Sequence, residues 1–195
     1  DFMDRDDKKM VDWYRKTLEL AAKHKLMVDF HGAIRPDGLR RTWPNLITRE
    51  GVLGLEYTKW SEMASPAHNV TIPYTRMLVG PMDYTPGGFN NTVEGKLEIK
   101  SINPEVMGTR AHQLAMFVVY ESPLQVLADS PSSYKGEDGM DLIREVPTVW
   151  DETRFVDGTP GDYIVLARRK GDVWYLGGMT SWEGREIEIS LDFMG

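Results

Sequence analysis

Asp29-Phe30-His31-Gly32-Ala33-Ile34-Arg35-Pro36-Asp37-Gly38 is the stretch on which the reading of this chain turns, continued by Arg40-Arg41-Thr42-Trp43-Pro44-Asn45-Leu46 and Glu50-Gly51-Val52-Leu53-Gly54-Leu55-Glu56. A short apolar run ends abruptly in polar side chains. A loop crowded with Arg, aromatic and turn residues comes next, then two carboxylates. α/β proteins build sites in this way, because the loops beyond the strand C-termini are free to vary. Catalysis is expected here.

Working outward, residues 8–25 read as a helix, with Met10, Tyr14, Leu18 and Ala21 at helical spacing and charges on the other face. The last turn, Lys23-His24-Lys25, carries the charge that a helix C-terminus prefers. Residues 26–30 lack alternation and predict a strand buried on both faces. The acid-rich segment before the helix suits a strand end and a helix N-terminus; with the helix and the strand over 26–30 it makes a βαβ unit. Residues 46–55 predict a second short strand that carries Glu50, and 57–65 a helical turn. Residues 70–79 predict a strand end that leads into the wide loop Gly80-Pro81-Met82-Asp83-Tyr84-Thr85-Pro86-Gly87-Gly88. A helix over 109–120, a short buried strand over 124–128 ending in Asp129, and a helix over 138–146 complete this half.

From Trp150 the pattern changes to period two, over 153–156, 163–168, 173–177 and 186–191, with Asp-Gly, Pro-Gly, Lys-Gly-Asp and Glu-Gly turns between. That predicts an antiparallel β unit. The fold class expected is therefore α/β: the C-terminal half of a (β/α)8 TIM barrel over 1–149, then an antiparallel β-sandwich domain over 150–195. Half a barrel leaves open edges and half a core, so the missing N-terminal half of the same polypeptide is the first partner expected.

Composition narrows the function. The 195 residues carry 41% hydrophobic side chains and six Trp, enough for a core. A net charge of −7 with interspersed signs argues against a nucleic-acid binder. No apolar run approaches a membrane span. With no Cys, disulfides, thiolate nucleophiles and Cys-ligated zinc are excluded. No G-x-G-x-x-G or P-loop string stands after a strand, which disfavours a nucleotide site.

Taken together, Asp1-Phe2-Met3-Asp4, the segment His31 to Gly38, Arg41-Thr42-Trp43-Pro44-Asn45-Leu46, Glu50 with Glu56, Thr75-Arg76, the Pro81-Met82-Asp83-Tyr84-Thr85-Pro86-Gly87 string, Ser122-Pro123-Leu124-Gln125 and Trp150-Asp151-Glu152-Thr153 resemble glycoside hydrolase family 97 from end to end. The resemblance implies an N-terminal β-sandwich, a (β/α)8 barrel and a C-terminal β domain, with this chain starting at the end of barrel strand four. It also implies α-glycosidic bond cleavage assisted by a bound calcium ion, and a periplasmic or secreted bacterial protein. In the inverting α-glucosidase branch a Glu comes directly after the strand-five His; here Gly32 stands there. That branch has Gly at the end of strand four, where this chain has Asp1. The swap resembles the retaining branch, whose activity is α-galactosidase. By resemblance Asp1 is the nucleophile, Glu56 the general acid/base, Glu50 a calcium ligand and His31 a substrate contact.

Two carboxylates are what an oxocarbenium-like transition state requires: one protonates the leaving oxygen while the other attacks the anomeric carbon. Read as lone residues, Asp1 is also a capping or surface residue, with Asp4 the runner-up for the site. Glu50 and Glu56 read equally as solvated acids, and His31 as a hydrogen-bonded core residue. Arg35 either binds sugar hydroxyls or makes surface ion pairs. Asp83 and Tyr84 line the pocket or serve the turn. The substrate expected is an α-galactoside or related oligosaccharide. The alternatives are an α-glucosidase of the same family and a non-catalytic carbohydrate-binding fragment.

Overall fold

The structure is a computed structural model and describes Met3 and residues 5–194. In chain order it contains α1 (Lys8–Lys23), β1 (Val28–Phe30), α2 (Leu39–Thr42), β2 (Leu46–Arg49), α3 (Pro66–Thr71), β3 (Asn91–Thr92), β4 (Val106–Met107), α4 (Arg110–Val119), α5 (Pro131–Tyr134), α6 (Met140–Glu145), β5 (Glu152–Thr159), β6 (Tyr163–Lys170) and β7 (Val173–Thr180), with short 3-10 turns between. No described helix is long and apolar enough to cross a membrane.

Helix α1 starts where Asp7 accepts a hydrogen bond from the Met10 amide, and it buries Tyr14, Leu18 and Ala21 as the spacing predicts. Its end departs from expectation. Lys25 takes φ +58°, with Lys25 N–H bonded to Ala22 O and Leu26 N–H to Ala21 O. This is a Schellman cap, and it uses residues expected to start a strand. Strand β1 is therefore only three residues long, and Leu26 and Met27 are 59% and 62% exposed rather than buried.

Strands β1 and β2 pair in parallel, Asp29 opposite Thr48 and Phe30 opposite Arg49, with a register shift beside Val28. β2 stops at Arg49, so Glu50 lies just beyond a strand end rather than within one. The predicted strand end over 70–79 is helical instead: Ser65 caps α3 through the His68 amide, Pro66 occupies the first turn, and 3-10 turns Ile72–Tyr74 and Arg76–Val79 come next. The Ser-Pro start signal outweighs the apolar run behind it. Extended chain comes later, at residues 82–84, where Met82 N–H bonds Glu121 O, Asp83 N–H bonds Arg49 O, and Leu55 N–H bonds Tyr84 O.

Residues 124–128 form no strand, and Leu124 and Val126 are exposed. Ser122 Oγ turns back onto Leu124 O, and Gln125 onto Tyr120 O, which bends the segment out of sheet geometry. The antiparallel unit is present as β5-β6-β7, with Tyr163 opposite Thr180 and Lys170 opposite Val173. Two details of the expectation fail. Residues 186–191 alternate but pair with nothing as a strand, and among the described residues no second sheet completes a sandwich. The apolar face of the sheet is covered by α4 instead. Ile164, Leu166 and Met179 share one core with Met116, Val119 and Tyr120. Gly177 lets the backbones close: a Cβ there would lie 2.9 Å from Val118 Cβ and 3.0 Å from Val119 Cγ2. Arg168, 2% exposed, reaches under the sheet to Val119 O at the helix C-terminus.

Candidate active site

The ends of β1 and β2 sort their side chains by alternation. Phe30 and Arg49 face α1, where Phe30 meets the Tyr14 ring edge-on at 4.7 Å and the Arg49 guanidinium lies 5.3 Å from the same ring. Asp29, His31 and Glu50 lie on the other side, next to Asp83 of the 82–84 segment. His31 Nε2 is 2.9 Å from Asp83 Oδ2, and His31 Nδ1 is 3.5 Å from Glu50 Oε2. Glu50 Oε2 also accepts the Gly32 N–H at 2.6 Å. The side chain of Glu50 is 12% exposed and that of Asp83 only 5%.

These groups perturb one another. The hydrogen bond to Asp83, aided by the Glu50 charge, raises His31 to about 9 against the pull of burial, so the imidazole is cationic at neutral pH. Burial and a hydrogen bond with Asp83 raise Asp29 to about 7. Burial works to raise Asp83 as well. Hydrogen bonds from His31, from the Asp29 carboxyl and from Thr85 outweigh it, and Asp83 stays below the usual carboxylate range. Among the described residues Asp29 Oδ1 is buried without a hydrogen-bond partner, which deepens the preference of that carboxyl for its neutral form.

One half-buried cation, Arg76, fixes this arrangement from behind. Arg76 donates to Gly51 O (2.9 Å), Gly80 O (2.9 Å), Arg49 O (3.1 Å), Glu50 O (2.8 Å) and Pro81 O (3.1 Å). A single guanidinium thus ties the end of β2 to the start of the segment that carries Asp83.

A cleft of about 300 Å³ opens at these strand ends, lined by His31, Glu56, Lys59, Asp83, Thr85 and Asp129 together with Leu55, Val106 and Val126. Glu56 is exposed in the 3-10 turn Leu55–Lys59 and pairs with Lys59 Nζ at 3.0 Å. Ligand atoms of His31, Glu50 and Glu56 all lie within 4.8 Å of one another. The two carboxylates are a chemically reasonable start for a divalent-cation site, whereas the His31 imidazolium has no lone pair to offer it. Calcium needs six to eight ligands, mostly oxygen, so others must complete it. The negative field that raises His31 is the same field that would hold a cation.

The structure thus brings together four of the residues named from sequence: His31, Glu50, Glu56 and Asp83. Asp1 and Asp4 lie outside the described residues. Tyr84 is corrected: it is 1% exposed in the core, its hydroxyl donating to Asn69 Oδ1, because the residue after Asp83 points to the opposite side of the extended chain. Arg35 does not line the cleft; its carbonyl accepts from Arg49. Asp29, Arg76 and Asp129 were not among the site residues expected. Asp29 was legible, since it stands two residues before His31 in a strand and so shares its face.

Comparison with known proteins supplies the family. Residues 1–52 match the model described as glycoside hydrolase 97, and residues 149–195 match the glycosyl-hydrolase 97 C-terminal, oligomerisation model. The chain is 48% identical over its full length to a protein of Bacteroides thetaiotaomicron named retaining alpha-galactosidase, of which it covers 30%. It is 36% identical over 98% of its length to a probable retaining alpha-galactosidase of Streptomyces bingchenggensis, covering 28% of that protein. A family 97 enzyme of a Pseudoalteromonas species, solved with acarbose, superposes with a TM-score of 0.84 at 41% identity, over 96% of this chain and 29% of that one. The chain spans less than a third of the length of each of these relatives, and it belongs to glycoside hydrolase family 97.

Proposed function

We propose that the full-length protein cleaves terminal α-linked galactose with retention of configuration, and that this chain carries its acid/base and most of its sugar-binding wall. The observation that carries the reading is the approach of His31, Glu50 and Glu56 to within 4.8 Å of one another at the ends of β1 and β2, beside a cleft that His31 and Glu56 line, in a chain 48% identical to a retaining alpha-galactosidase. The parallel β1–β2 pair, extended by residues 82–84, fits part of a (β/α)8 barrel with its site at the strand C-termini.

In this mechanism Glu56 donates its proton to the glycosidic oxygen while the Asp1 carboxylate attacks the anomeric carbon. The C–O bond to the leaving group breaks and a galactosyl ester on Asp1 forms. Glu56, now a carboxylate, takes a proton from water. The water oxygen attacks the same carbon, the ester bond breaks, and galactose leaves as the α-anomer. The assignment of Asp1 rests on sequence position within the family. The imidazolium of His31 donates to a sugar hydroxyl, and Asp83 holds the ring in place through Nε2. Lys59 holds the Glu56 carboxylate at the cleft wall. Glu50, with the Glu56 carboxylate in reach, would hold a calcium ion, which supplies a fixed positive charge for substrate oxygens.

The test is kinetic. The full-length protein should hydrolyse nitrophenyl α-galactoside at least about 100-fold faster in kcat/KM than the α-glucoside, a margin within reach of one hydroxyl recognised by buried polar groups. Equal or reversed preference would move the protein to the glucosidase reading. That comparison matters because a family member has been solved with acarbose.

A further inference from the structure

The cleft contains one carboxylate that the double displacement does not use. Asp129 lines it alongside His31, Glu56 and Asp83. Its surroundings are built rather than loose. Phe89 N–H donates to Asp129 Oδ2 at 2.7 Å, and the Asp129 N–H donates to Tyr134 Oη at 2.8 Å. That hydroxyl donates in turn to Gly87 O at 2.8 Å, while Gln113 Oε1 accepts the amides of Gly87 and Gly88 at 3.0 and 3.3 Å. Ala128 N–H closes the ring onto Pro86 O at 3.0 Å. Segments 86–89 and 128–129 are thereby locked to each other and to α4 and α5.

Resting on the glycosidase reading, we infer that Asp129 is a substrate-binding residue that accepts a hydrogen bond from a hydroxyl of the galactose ring. One backbone amide does not saturate a carboxylate, which has roughly four acceptor positions, and a sugar presents mainly hydroxyl donors. A carboxylate held by fixed amides loses little entropy on binding, and its hydrogen bonds to hydroxyls are charge-assisted. Asp129 shares this cleft with His31 and Glu56, so a sugar ring that contacts those two lies against the same wall.

The test is Asp129→Asn in the full-length protein, since an Asn oxygen still accepts from Phe89 N–H. Loss of one charge-assisted hydrogen bond is expected to lower kcat/KM on nitrophenyl α-galactoside by about 10- to 100-fold, with the melting temperature shifted by less than about 3 °C. On galactosides lacking one hydroxyl at a time, the penalty should fall to within about 3-fold for one member, because wild type then also lacks the contact. A penalty of equal size on every member, or none on the parent substrate, overturns the inference. Should D129N melt early, Tyr134→Phe loosens the same carboxylate without removing it and must show the same hydroxyl-selective loss. Calorimetry with free galactose reads Asp129 apart from turnover. Binding that D129N abolishes supports the inference even if no galactoside is hydrolysed, and wild type that binds no galactose refutes it.

Discussion

Replacing Asp29 by Asn should stabilise this protein, and only above mildly acidic pH. Asp29 rises from 3.8 to about 7 on folding, first because burial penalises its charge and then because it shares a hydrogen bond with Asp83. The folded state therefore holds a proton between about pH 4 and 7 that the unfolded chain releases. With more protons bound in the folded form, stability must fall as pH rises through that window. Slightly more than three pH units at about 1.4 kcal/mol each give an upper bound on the order of 4 kcal/mol. Coupling to Asp83 and solvent at the cleft mouth reduce the expected gain to roughly 2 kcal/mol. Asn keeps the shape and donates an N–H to Asp83, yet has no charge to bury. Thermal unfolding of wild type and Asp29→Asn, in buffer with chelator so that no cation titrates the cluster, should give similar midpoints near pH 4. Near pH 8 the variant should lead by about 4–8 °C. A variant that gains nothing between those two pH values would show that Asp29 ionises normally, and the account of the cluster would be wrong.

Other expectations bear on the same framework. Arg76→Met removes all five hydrogen bonds to the ends of β2 and of the segment preceding Asp83; it should cost about 3–5 kcal/mol in chemical denaturation. Arg76→Lys should recover part of that, and an indistinguishable Met variant would remove Arg76 from its bracing role. Glu50→Gln should weaken calcium binding to the full-length protein by at least about tenfold in a titration calorimeter. It should also make activity fall at chelator levels that wild type tolerates; unchanged affinity would place the ion elsewhere.

The parts of the fold and site that are legible in the sequence obey local rules. The face of α1, the polar ends of β1 and β2, and the antiparallel strands β5 to β7 are written in periodicity and turn residues. His31, Glu50, Glu56 and Asp83 stand out because they lie where apolar runs stop. The misses have a common origin in interactions across the chain. Leu26 and Met27 are apolar, but a C-cap formed by Lys25 consumes the start of their strand. Residues 70–79 turn helical because Ser65 and Pro66 start a helix. The sheet of β5 to β7 finds its cover in α4 rather than in a second sheet. Arg76 sits in an apolar run as a lone cation, and nothing local says that three of its five carbonyl partners lie some 25 residues back, at the end of β2. Tyr84 reads as a cleft residue beside Asp83, although neighbours in extended chain face opposite ways.

The most direct measurement is proton NMR of the first product as the full-length protein hydrolyses an aryl α-galactoside. The account predicts that α-galactose appears first and the β-anomer grows in only by mutarotation. Initial release of β-galactose would mean a single displacement by water, and the pairing of Asp1 with Glu56 would be refuted.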